Sequence, residues 1–146
     1  MPGIAGLGAA ANLMLSEMQQ RTKTMAECKT YLKTKVLKEI SDVKLNGPED
    51  GVCSVLNLSF LGCRGEVILH SLDTDGICVS TGSACSSHVK GSHVLTAMGC
   101  KPEEIEGAVR FSFCGDNTID EMDKVLESLK KTVVSQRKLR AAFSRK

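Results

Sequence analysis

Two residues in this chain stand where chemistry is possible. Cys85 lies in the middle of Thr81-Gly82-Ser83-Ala84-Cys85-Ser86-Ser87-His88-Val89-Lys90-Gly91. That run is made mostly of small residues between two glycines, with too little apolar area to hold it down, so the sequence predicts a mobile loop. A thiol placed there can reach another molecule, and Lys90 with the nearby histidines favours the thiolate, the reactive form. An ordinary surface cysteine is the plainer reading of the same residues. Arg110 is the second candidate. It is flanked by Val109 and Phe111, and if those two alternate inward on a strand, the guanidinium points to the opposite face, where its fork can grip a carboxylate. The plainer reading there is a solvated strand cation.

Other constellations carry less. Cys85, His88, His93 and Cys100 form C-x2-H-x4-H-x6-C, four potential zinc ligands, but the spacing is unfamiliar and the last two fall on a predicted helix and its exit, so no metal is assigned. Gly6-Leu7-Gly8-Ala9-Ala10-Ala11 has the letters of a dinucleotide fingerprint. It lacks the strand that must precede one, and its small residues read instead as a close helix-packing surface. There is no C-x-x-C pair among the seven cysteines.

The elements that must position these residues follow from periodicity. Ile4, Leu7, Ala11, Leu15 and Met18, then Met25, Cys28, Leu32, Val36 and Ile40, recur at helical spacing and predict a long or once-broken amphipathic helix. Val43 to Leu45 is a short strand closed by Asn46-Gly47-Pro48, and Leu56, Leu58 and Phe60 alternate with Asn57 and Ser59 on a second strand. Glu66 to Leu72 fits a short helix, Ile77 with Val79 another strand, and Ser92 to Met98 another short helix. Val109, Phe111 and Phe113 form a further strand. Thr118 with Glu121 is a capping box opening a last helix with the face Ile119, Met122, Leu126, Leu129 and Val133. No repeat or linker divides the chain, so the fold class is α+β: a small mixed or antiparallel sheet packed with a long N-terminal helix and a C-terminal helix.

Composition sets the outer limits. With 146 residues the chain is one domain, and 42% apolar with 25% charged residues excludes disordered, collagen-like and membrane-spanning classes. The net charge of +2 hides an asymmetry, for from residue 128 onward the charged residues are all basic, with a basic tail at 136–146 and a mildly acidic body. Nucleic acid is not an expected partner, because stacking residues are scarce: no Trp, one Tyr and four Phe. An odd number of cysteines with no export signal points to a reducing, cytoplasmic setting in which most thiols are small buried apolar groups.

Several stretches together resemble the C-terminal small domain of a cysteine desulfurase, a class V aminotransferase. They are Val79-Ser80-Thr81-Gly82-Ser83-Ala84-Cys85-Ser86-Ser87, Gly65-Glu66-Val67 with His70, Ser92-His93-Val94-Leu95 with Met98-Gly99, and Arg110-Phe111-Ser112-Phe113, and they occur in the family's order. Ile4 to Ala10 resembles the start of the family's small-domain helix, and the resemblance runs over residues 2–135. It implies a pyridoxal-phosphate-dependent reaction that removes sulfur from L-cysteine and releases alanine. Cys85 would be the catalytic nucleophile that carries the persulfide, and Arg110 would bind the substrate α-carboxylate. A sulfur-acceptor or scaffold protein and a place in sulfur metabolism such as iron–sulfur cluster assembly are implied in the same way, and an isolated small domain is expected to expose the apolar surface around the Ile4 to Met18 helix, which favours a homodimer or other self-association.

The sequence also departs from the family. The lysine that carries the cofactor directly follows a histidine in the family's large domain, whereas Ser71, Val89 and Val94 follow the three histidines here. The Gly-Thr segment before the Pro2 equivalent is absent, and Cys114-Gly115-Asp116 stands where a second arginine often follows. The expectation is a single small domain, 1–146, that binds no cofactor alone and turns over no L-cysteine alone. A stand-alone persulfide-relay or binding module that needs no cofactor is the alternative.

Overall fold

The computed structural model describes residues 1–82 and 92–143. Its elements are helix α1 (Pro2–Glu39), strands β1 (Val43–Leu45) and β2 (Val55–Phe60), helices α2 (Gly65–Thr74), α3 (His93–Ala97) and α4 (Pro102–Glu106), strand β3 (Ala108–Ser112) and helix α5 (Ile119–Phe143). The strands form one antiparallel sheet in the order β1-β2-β3. The α+β class expected from the sequence is therefore the observed one, with the sheet antiparallel throughout.

One face of the sheet makes the core. Leu56, Leu58 and Phe60 of β2 and Val109 and Phe111 of β3 are buried, as their alternation with polar residues requires. Against them lie α1 and α5. Cys28, Leu32, Val36 and Ile40 recur every fourth residue and meet Met122, Val125, Leu126, Leu129 and Val133. Each fully buried Leu, Ile or Val contributes about 1.5–3 kcal/mol relative to an exposed one. The helix α5 opens with the anticipated capping box: the Thr118 N–H donates to Glu121 at 3.0 Å and the Glu121 N–H to the Thr118 hydroxyl at 3.3 Å.

Three expectations need correction. Ile77 to Ser80 forms no full strand; it contributes an isolated bridge from Ser80 to Arg110. The helix α4 was not anticipated, although Pro102 in its first turn, Glu103 and Glu104 behind it and Gly107 at its end are its ordinary signals. Finally, the small residues early in α1 form no packing surface: α1 is one unbroken helix of 38 residues whose first half lies outside the core, and its apolar face is exposed as expected, Ile4 and Leu7 each by 73% and Leu15 by 78%. Gly6 and Gly8, read as a packing surface, have nothing near their Cβ positions among the described residues.

Candidate active site

The second face of the sheet is polar, and its register builds a row of side chains. Asn57 of β2 pairs with Arg110 of β3. On the far edge, Ser80 and Arg110 exchange backbone hydrogen bonds at 3.0 and 2.6 Å. On the near edge the Asn46 N–H donates to the Asn57 carbonyl at 3.0 Å, continuing the β1–β2 ladder by one residue. Directly paired residues of an antiparallel sheet point to the same side. Asn46, Asn57, Arg110 and Ser80 therefore stand side by side on one rung. Arg110 is exposed near the middle of it, on the face opposite Val109 and Phe111, as the alternation predicted.

Two close backbone approaches hold this rung in place. A Cβ at Gly107 would run into the Phe60 carbonyl, which accepts no side chain where β3 begins beside the end of β2. A Cβ at Gly65 would sit 2.6 Å from the Ala108 carbonyl and 3.2 Å from the Thr81 methyl, so the start of α2 is pressed against both β3 and the chain leaving Ser80. The Ser80 hydroxyl then closes a tight turn by donating to the Gly82 carbonyl at 2.7 Å.

Beside the rung a hydrogen-bonded network reaches under α4. The Asn46 amide nitrogen donates to Asn57 Oδ1 at 2.8 Å and to the Ser59 hydroxyl at 2.7 Å. Ser59, fully buried, donates onward to the Glu104 carbonyl at 2.6 Å. The Glu104 carboxylate is held by Lys44 Nζ and by the Lys101 N–H, both at 2.8 Å. These donors, the Lys44 ammonium first, keep the Glu104 carboxyl below the usual carboxylate range, and Glu104 in turn raises Lys44.

Of the residues singled out in the sequence, Arg110 is thus placed on a built face, while Cys85 and His88 lie outside the described residues. In the sequence Cys85 follows Ser80, the edge of the rung, by five positions. His93 is exposed at the start of α3, and Cys100 is engaged elsewhere, its Sγ lying 3.9 Å from Asn46 Oδ1. The expectation that most thiols are buried needs revision. Cys28 and Cys63 are buried, and burial pushes both thiols up, but Cys53 and Cys100 are half-buried and Cys78 and Cys114 exposed. Where a second arginine was looked for, Gly115 packs against Arg21 of α1, and Asp116 accepts from the Arg21 guanidinium at 3.3 Å. Sequence reasoning missed Asn46 and Asn57; only the outward alternation of Asn57 between Leu56 and Leu58 hinted at its face.

Comparison with known proteins adds a family. Residues 1–125 match the class-V aminotransferases. The cysteine desulfurase IscS of Clostridium botulinum is 38% identical over 141 residues, covering 94% of this chain and 36% of that protein. A cysteine desulfurase of Nostoc is 38% identical over 141 residues, covering 95% of this chain and 35% of that protein. Among solved structures, a NifS-like protein superposes with a TM-score of 0.76 at 29% identity, over 89% of this chain and 32% of that one. The chain spans about a third of the length of these relatives. The match runs from α1 through β3, the strand of Arg110, into α5, and on that extent this chain belongs to the class-V aminotransferase family.

Proposed function

We propose that this chain is the C-terminal part of a pyridoxal-phosphate-dependent cysteine desulfurase, with Arg110 binding the α-carboxylate of L-cysteine and Cys85 accepting its sulfur. The observation that carries this reading is the rung: an exposed guanidinium on a polar strand face, bonded through its backbone to Ser80, which stands five positions before Cys85 in the sequence. A planar fork on a rigid strand suits bidentate recognition of a carboxylate. The relatives named cysteine desulfurase support the substrate.

In this reading the Cys85 thiolate attacks the substrate sulfur. The new S–S bond forms as the substrate Cβ–S bond breaks, and the electron pair left on the carbon skeleton is taken up by a proton to give alanine. Pyridoxal phosphate, as electron sink, supplies the chemistry that makes the carbon skeleton a leaving group. Lys44, on the rung's side of the sheet, is tied at 2.8 Å to Glu104 of α4. This chain's own contribution is to orient the substrate and to take its sulfur, for delivery to an acceptor protein. The cofactor's lysine belongs to the rest of the enzyme.

The test is reconstitution. The large domain of a related desulfurase, supplied with cofactor, is mixed with this chain and alanine formation from L-cysteine is followed. Activity is expected only in the mixture, abolished by Cys85→Ser and greatly reduced by Arg110→Ala. Turnover by this chain alone, or a mixture indifferent to Cys85→Ser, contradicts the reading.

A further inference from the structure

We infer that Asn57 is a second carboxylate-binding residue, its amide N–H groups aimed beside the Arg110 fork by a chain of hydrogen bonds that leaves the amide one orientation. The inference rests on the reading of Arg110 as a carboxylate anchor and adds to it a neutral donor of fixed polarity.

The orientation follows from counting protons. The Glu104 carbonyl can only accept, so the single hydroxyl proton of Ser59 goes to it, at 2.6 Å. Ser59 must then accept from its other neighbour, which fixes the atom of Asn46 at 2.7 Å as the amide nitrogen. The same nitrogen lies 2.8 Å from the Asn57 side chain, so the Asn57 atom facing it is the oxygen. The other side of Asn46 agrees, since its oxygen faces the Cys100 thiol, a donor. With Oδ1 turned toward Asn46, the Asn57 nitrogen turns away from it. Among the described residues, neither of that nitrogen's hydrogens has a partner.

The ladder says where that nitrogen stands. Hydrogen bonds from Phe60 to Gly107 and from Phe113 to Ser54 mark the bonded pairs of β2 and β3. Counting by two from either, Asn57 and Arg110 fall at a non-bonded pair, the type in which side chains are closest, with Cα atoms about 4.5 Å apart. On its other side Asn57 is bonded to Asn46. The rung thus presents a guanidinium and an amide N–H side by side, a set that two carboxylate oxygens can share. Beyond Asn57 the network ends in Glu104 of α4, whose carboxylate is held by Lys44 and the Lys101 N–H. The donor is therefore preset before any ligand arrives.

The experiment uses the full chain, uniformly labelled with nitrogen-15, with L-alanine as an unreactive carboxylate probe and isopropylamine as its analogue without the carboxylate. The Asn57 side-chain amide and the Arg110 Nε–H signals should shift together with L-alanine, fit one dissociation constant, and stay put with isopropylamine. Asn57→Ala should raise that constant about tenfold, the worth of one hydrogen bond to a charged group, while Arg110 still responds. Asn46→Asp offers Asn57 a pure acceptor, which turns its amide over. The Asn57 signals should then cease to respond to the probe although the chain stays folded, an effect that simple loss of packing would not produce. If Arg110 saturates while Asn57 does not move, or Asn57→Ala binds as the parent does, the inference is overturned and the Arg110 reading stands. If neither signal responds, both fall.

Discussion

The two faces of the β1-β2-β3 sheet divide the work of the molecule. On one, Leu58, Phe60 and Val109 are wholly buried beneath α1 and α5. On the other, Asn46, Asn57, Arg110 and Ser80 stand in a row, and Arg110 is exposed. The same two strands supply both, since successive residues alternate sides. The apolar face gives rigidity and the polar face inherits it, so a side chain with few contacts of its own is still held in register with its neighbours. Substitutions should therefore separate cleanly into those that unfold and those that disarm.

The largest effect is expected on the buried face. Leu58→Ala should cost about 2–5 kcal/mol, by lost transfer energy and a residual cavity, readable as a drop in the denaturant midpoint. Arg110→Ala should leave that midpoint within about 0.5 kcal/mol of the parent and still remove carboxylate binding. A large loss of stability with Arg110→Ala would break the division. Gly107→Ala should also be strongly destabilising, because the new methyl meets the Phe60 carbonyl. The expected readout is a lowered thermal midpoint that no buffer condition restores.

Acid offers a smaller and graded probe. Glu104, held by Lys44 and the Lys101 N–H, has its carboxyl lowered in the folded chain, and Glu39 is lowered by Lys130 and Glu121 by the Thr118 N–H. A carboxyl lowered on folding contributes stability above its unfolded value of about 4.3, and that contribution is lost as pH falls through the folded value. Stability should decline as the solution is acidified below that point. Glu104→Gln should make the decline shallower, measured by urea titration across pH. A steeper decline in the variant would mean that Glu104 is not the group responsible.

The smallest perturbation is chemical labelling. Limiting alkylation mapped by mass spectrometry should find Cys28 and Cys63 slowest, since both are buried and burial raises both thiols. We expect Cys85 to react first. Preferential labelling of the exposed Cys78 or Cys114 would count against a specially reactive Cys85.

Much of this architecture is legible in the sequence for a local reason. Alternation around Arg110 and Leu58, the Thr118–Glu121 cap and the four-residue spacing of Cys28, Leu32, Val36 and Ile40 are each contained within a few residues. The rung is not, because Asn46 meets Asn57, and Asn57 meets Arg110, only after three segments settle into register. The first half of α1 shows what periodicity alone leaves open. Its periodicity at Ile4, Leu7 and Leu15 is as regular as that of the buried half, yet those side chains lie exposed. Helical spacing reports that a face is apolar, while burial depends on what else is present to cover it.

The central claim is tested most directly by locating the sulfur. After the reconstituted mixture has turned over L-cysteine, the chain is digested without reductant and its cysteine peptides are weighed. The account predicts one added sulfur atom on the Cys85 peptide, lost on treatment with thiol and greatly diminished in Arg110→Ala. Added sulfur on any other cysteine with Cys85 unmodified, while alanine is still formed, would contradict it.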